Sequence, residues 1–178
     1  MKTLIVYASV HHKNTEKVAK VIAEELGADL VPVGQAQPDT SAYDLIGFGS
    51  GIYWGKVHTT LLQFAEALLP VSGKHAFIFT TSGDGKVERQ VAIKELLEKR
   101  GFSTVGNFSC KAWNTWGPLK LTGGINKGRP DEKDLEEARI FARGLKENTC
   151  AYRQNKRTAH FLYIMERLDT DTKKGIGK

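Results

Sequence analysis

A doubly wound parallel β-sheet of five strands, with helices on both faces, is the fold this sequence predicts. Three observations carry it. Apolar runs of strand length alternate with amphipathic stretches of helix length along 1–147. The runs are continuously apolar, as in TLIVY at 3–7, which is how strands buried on both faces read. Most of them end in glycine, small polar or aromatic residues just before the next helix begins. In such a sheet ligands sit beyond the carboxyl ends of the strands, where strand order switches. Those terminal segments are therefore the candidate site.

The opening strand gives way at 9–15 (SVHHKNT) to a helix over 16–26, with Val18, Ala19, Ile22 and Leu26 on one face and Asn14 or Thr15 as N-cap. A turn that leaves a strand and opens a helix aims backbone N–H groups at one point, and the helix dipole favours an anion there, such as phosphate. Residues 28–33 (ADLVPV) form a short second strand, which Pro32 assigns to an edge or a bulge. After a loop at 34–42, a third buried strand starts over 43–50 (YDLIGFGS), its glycines letting backbone approach a ligand closely. An aromatic-bearing loop, 51–58 (GIYWGKVH), leads to a helix over 59–69 stopped by Pro70. The fourth strand, 74–81, runs into SGDGK at 82–86. The helix that follows, 87–100, buries Val91, Leu96 and Leu97 and closes at Gly101. A fifth strand over 102–110 passes into 111–129, and a last helix covers 131–145 with Asp131 and Glu132 in its first turn.

The 178 residues make one domain with room for a sizeable core. No apolar run approaches the ~20 residues of a membrane span, and no signal-peptide pattern opens the chain, so a cytoplasmic location without a membrane role is expected. Cys110 and Cys150 lack ligand-like spacing and read as buried or free thiols; no metal site is expected. Residues 1–147 carry 19 Lys/Arg against 17 Asp/Glu, whereas 148–178 carry 7 against 3. The sequence pI of 9.3 is thus partly a property of the tail, and no nucleic-acid-binding motif accompanies it. In that tail Phe161, Ile164, Met165 and Leu168 share a helical spacing, which predicts a short amphipathic helix before a disordered end.

Four segments together resemble the flavodoxin family: SVHHKNTEKVAK after the first strand, YDLIGFGSGIYWGK at the third, TTSGDG at the fourth, and 108–139 near the end. They span 1–147 in the family's order and spacing, far beyond what a lone glycine motif carries. The resemblance implies a flavodoxin-like domain at 1–147 that holds FMN non-covalently, with 148–178 as a basic extension. It puts Ser9, His11, Lys13, Asn14 and Thr15 in the phosphate turn, and Ser50, Gly51, Ile52, Tyr53 and Trp54 along one side of the isoalloxazine. It puts Thr81, Ser82, Gly83, Asp84 and Gly85, with Trp113, Asn114 and Thr115, along other edges of the ring. Lys13 departs from the pattern, which has glycine there. A positive φ would strain it by about 1–3 kcal/mol, unless the lysine serves to neutralise phosphate charge.

Blander readings stand beside these. Tyr53 and Trp54 also suit a covered sheet edge, Trp116 a turn, His11 and His12 a polar loop, Asp84 a turn. The resemblance implies electron transfer between redox partner proteins, and the basic rim (Lys56, Lys86, Arg89, Lys111) suits acidic ones. It also predicts a reduced flavin less penalised than in an acidic carrier. Two other readings stay open: a flavodoxin-like oxidoreductase acting on a quinone or tetrapyrrole, and a flavin-free binding module. No residue presents itself as a catalytic acid or base, and the oligomeric state has no sequence signal.

Overall fold

The computed structural model describes residues 1–35 and 40–148. A compact unit covers Met1–Arg143. In it β1 (Thr3–Ala8), α1 (Asn14–Leu26), β2 (Asp29–Pro32), β3 (Leu45–Tyr53), β4 (Lys56–Val57), α2 (Thr59–Ala67), β5 (Lys74–Ser82), α3 (Val91–Lys99) and β6 (Phe102–Lys111) follow in order. Single 3-10 turns occupy Val87–Gln90 and Gly117–Thr122, and a last helix, α4, starts at 132. The expected tail helix and disordered end at 149–178 lie outside the described residues.

Five strands form one parallel sheet in the order β2-β1-β3-β5-β6. The chain runs outward from β1 to β2, then returns to the far side of β1 for β3, so strand order switches between β1 and β3. β2 is the edge strand, where Pro32 loses no ladder bond that a central strand would need. Alternate residues face opposite layers. Leu4, Val6, Ile46, Phe48 and Ile78 pack with Leu61 and Ala65 of α2 and with Ile93 and Leu97 of α3. On the opposite face, Phe77 and Phe108 meet Phe141 of α4 at 6.0 and 5.5 Å between ring centroids.

Several elements differ from the sequence expectation. β3 continues to Tyr53 and pairs with β4 in a tight antiparallel hairpin (Ile52↔Val57, Tyr53↔Lys56), so 51–53 is strand and not loop. Gly47 and Gly49 of β3 serve packing: a Cβ on Gly47 would lie 2.3 Å from Phe77 Cζ, and one on Gly49 2.1 Å from Phe79 Cζ. Rings of β5 thus fill the space that the neighbouring strand leaves, and no ligand approaches there. The predicted helix at 87–100 divides into a 3-10 turn and α3. The turn's three-residue period shifts the helical phase, leaving Val91 54% exposed and burying Ile93 with Leu97. α1 starts at Asn14 with Lys13, not Asn14 or Thr15, in the cap position. Both side chains are drawn off to tertiary partners described below. At α4 the expected Asp131 forms a reciprocal cap with Asp134 rather than with Glu132: the Asp134 amide donates to Asp131 Oδ1 (3.1 Å) and the Asp131 amide to Asp134 Oδ2 (2.9 Å).

Candidate functional site

The loops beyond β1, β3, β5 and β6 enclose a cleft of about 690 Å³ at the switch in strand order. Its floor is the turn before α1. His12 and Lys13 both take left-handed backbone conformations, with φ of 53° and 54°. Two successive residues of that kind bend the chain sharply into the helix. The turn is held by its neighbours rather than by a helix cap of its own. Ser9 Oγ accepts the Glu16 amide (3.3 Å). Asn14 Nδ2 donates to the Trp113 carbonyl (2.9 Å), and Thr15 Oγ1 lies 2.9 Å from Thr81 Oγ1. His12 Nε2 lies 2.8 Å from Thr115 Oγ1, and its ring stacks on Trp113 at 3.9 Å. Asn14 is buried, and its Oδ1, with no partner among the described residues, belongs to a side chain lining the cleft.

The β3–β4 hairpin forms one wall, with Gly51, Ile52, Tyr53, Trp54 and Gly55 lining it. Ser50 is buried beneath: its hydroxyl donates to the Gly51 carbonyl and accepts the His58 amide, at 2.6 and 3.0 Å. Ser50 therefore fixes the hairpin and stands behind the lining. Tyr53 leans into the turn, its hydroxyl accepting the Val10 amide at 3.3 Å. Trp54, at φ 52° and 79% exposed, meets Trp116 edge-on at 3.9 Å across the mouth.

Ser82, Gly83 and Asp84 continue the lining after Thr81. Partial burial pushes the Asp84 carboxyl up, but the Arg89 guanidinium, the Ser82 hydroxyl and the Lys86 amide outweigh it and bring the group down to about 2. Asp84 is thus an ionised partner of Arg89 (2.9 Å) and organises the 82–89 turn. The segment after β6 closes the last side. Asn114 and Ile125 exchange backbone hydrogen bonds at 3.0 and 2.9 Å, the Trp113 indole donates to the Gly123 carbonyl, and Asn126 Nδ2 donates to the Gly83 carbonyl. Arg129 grips the buried Asp134 at the foot of α4.

Of the residues expected at the site, fourteen line the cleft: His11, Asn14, Thr15, Gly51, Ile52, Tyr53, Trp54, Thr81, Ser82, Gly83, Asp84, Trp113, Asn114 and Thr115. Four do not. Ser9 and Ser50 brace it from behind, Gly85 packs on Lys111 with φ 67°, and Lys13 turns outward toward Glu16 (3.9 Å) with its side chain 77% exposed. The cleft is also lined by Arg89, which the sequence places on a basic rim, by His12 and Trp116, which it equally assigns to a polar loop and a turn, and by Gly55, Ala112, Gly117, Lys120 and Ile125. No helical periodicity reaches Trp116, since 112–116 is not helical, and Ile125 enters through its backbone pairing with Asn114. Cys110 is buried, and burial pushes its thiol up to about 12, which makes it inert.

Residues 4–116 match the family described as the flavodoxin domain. An uncharacterized protein of Methanocaldococcus jannaschii is 44% identical over 151 residues, covering 83% of this chain and 100% of that relative. Among solved structures, a flavodoxin from the domain Archaea superposes with a TM-score of 0.64 at 19% identity, over 83% of this chain and 98% of the other. Oxidised flavodoxin 2 from Bacillus cereus does so with a TM-score of 0.63 at 24% identity, over 83% and 99%. At such identities the two structures attest the fold.

Proposed function

The chain belongs to the flavodoxin family, and from that premise we propose that it holds FMN in this cleft and passes electrons between protein partners. The observation that carries the reading is a helix-opening turn already donating an amide to an oxygen, Tyr53 Oη, at the foot of a cleft ringed by Trp54, Trp113 and Trp116. A mononucleotide flavin asks for those two things, an anion cradle and flat aromatic walls. Its phosphate fits the turn at 10–15, where amides, Thr15 and the dipole of the 13-residue α1 converge. Asn14 Oδ1, buried and without a partner among the described residues, suits a hydroxyl of the ribityl chain.

Bound FMN supplies the one- and two-electron chemistry. The chain's own residues bind, orient and shield it. Trp54 and Trp116 control water access at the mouth. Arg89 and Lys120 set positive charge on the wall, with the ionised Asp84 opposing it. That balance favours a reduced ring more than an all-acidic rim would. The same basic rim favours acidic redox partners. Among the described residues no helix is long and apolar enough to cross a membrane.

A second reading, an oxidoreductase acting on a quinone or tetrapyrrole, draws on a neighbouring hollow of about 740 Å³ that shares Gly55 and Arg89 with the cleft. Titration of the purified full chain with FMN, followed by absorption and calorimetry, tests the common premise. Saturable binding at one FMN per chain is expected; failure to bind leaves the flavin-free module. Stopped-flow mixing of the reduced protein with redox proteins and with quinones then separates carrier from enzyme.

A further inference from the structure

We propose that the Tyr53 hydroxyl is a built-in competitor for the anion at the turn before α1, and that it sets how tightly a phosphate is held there. The inference rests on the flavin reading of the cleft. The Val10 amide, at the start of the turn, donates to Tyr53 Oη at 3.3 Å. The phenol is held in place by rigid neighbours. Its ring lies 5.9 Å from that of His11 and edge-on to that of His58 at 5.2 Å. Beneath it is Gly51, where a Cβ would come within 2.7 Å of the hydroxyl. The Ser50–His58 bond fixes the hairpin that delivers it. The cradle thus contains an oxygen of its own, brought in from β3.

Amides satisfied by a protein oxygen are not free to a ligand. The phenol is a neutral acceptor at physiological pH, since burial pushes its ionisation upward. A phosphate oxygen is charged and bonds the same amide more strongly, so it displaces the hydroxyl. The net gain is smaller than on an empty turn, because the bond to Tyr53 is given up. Only the phosphate-bearing end of a ligand would meet this competition; a ring system held among Trp54, Trp113 and Trp116 would not. Tyr53 therefore tunes the phosphate contribution alone and leaves FMN exchangeable.

Tyr53→Phe keeps the ring and removes the oxygen. Calorimetry of the full chain with FMN and with riboflavin, and NMR titration of the Val10 and His11 amides with inorganic phosphate, test the proposal. The variant should bind FMN and inorganic phosphate about 3- to 10-fold more tightly, the equivalent of one recovered hydrogen bond, with riboflavin unchanged. Weaker or equal phosphate binding overturns it, since the hydroxyl would then be a donor to the anion or a bystander. Should neither protein bind FMN while phosphate still binds the variant more tightly, the flavin reading falls and the competition stands. Should FMN bind the wild-type chain while the variant shows no gain for FMN or phosphate, the competition falls and the flavin reading stands. Tyr53→Leu gives a second variant with the same expected gain for inorganic phosphate if the phenylalanine form does not fold.

Discussion

Lys13 shows how much one residue in a tight turn can reveal. Its φ of 54° belongs to the left-handed region, and among the described residues its exposed side chain has only Glu16 in reach, 3.9 Å away. An exposed pair of that length contributes little. The backbone strain of a non-glycine residue there, about 1–2 kcal/mol, exceeds the extra entropy glycine loses on folding. Lys13→Gly should accordingly stabilise the protein by about 0.5–1 kcal/mol in urea denaturation, and Lys13→Ala should not. Asp84 offers a test by pH. With its carboxyl at about 2, against an ordinary value near 4, its contribution is complete above pH ~4 and drains away as pH falls toward 2. Asp84 and Arg89 are both partly exposed, so solvent screening limits the effect to about 0.5–1 kcal/mol. Denaturant midpoints of Asp84→Asn should fall less steeply than those of the wild type between pH 4 and 2, because other carboxylates such as Glu16 and Asp131 are also held below their ordinary values and still titrate there.

At the level of elements, β3 and β5 are one packing unit. Gly47 and Gly49 lie opposite Phe77 and Phe79 in the parallel register, and the rings cover the glycines. Gly47→Ala or Gly49→Ala should destabilise by about 1–3 kcal/mol through overpacking, read from the denaturation midpoint. Phe77→Leu should recover part of that loss in the Gly47→Ala background, and none of it in Gly49→Ala. This pairing also marks where sequence reading stops. The strands and their order of appearance were legible, because continuous apolar runs separated by amphipathic helices suit a parallel sheet. What a glycine faces depends on the adjacent strand, about thirty positions away in the sequence, so Gly47 and Gly49, read as ligand-facing, prove to be ring-facing. Likewise the phase of α3 depended on a 3-10 turn at Val87–Gln90, which apolar periodicity does not report. Fourteen lining residues followed from the switch-point rule and the family resemblance. Ile125 did not, since it reaches the cleft through its backbone pairing with Asn114.

For the whole molecule, charge would decide how the proposed redox partner arrives. Arg89 and Lys120 line the cleft, and Lys56, Lys86 and Lys111 are exposed around it. Association with an acidic redox protein should be fast at low salt and slow by about tenfold or more as ionic strength approaches physiological values. Lys56→Glu combined with Lys120→Glu should lower the on-rate in stopped-flow mixing and flatten that salt dependence, with dissociation little changed.

The chain has three tryptophans, and all of them, Trp54, Trp113 and Trp116, belong to the walls of one cleft. Ultraviolet-excited indole fluorescence from this protein therefore originates entirely in that hollow. A yellow guest among the three would dim it by energy transfer, so the molecule carries an unlabelled optical gauge of its own occupancy.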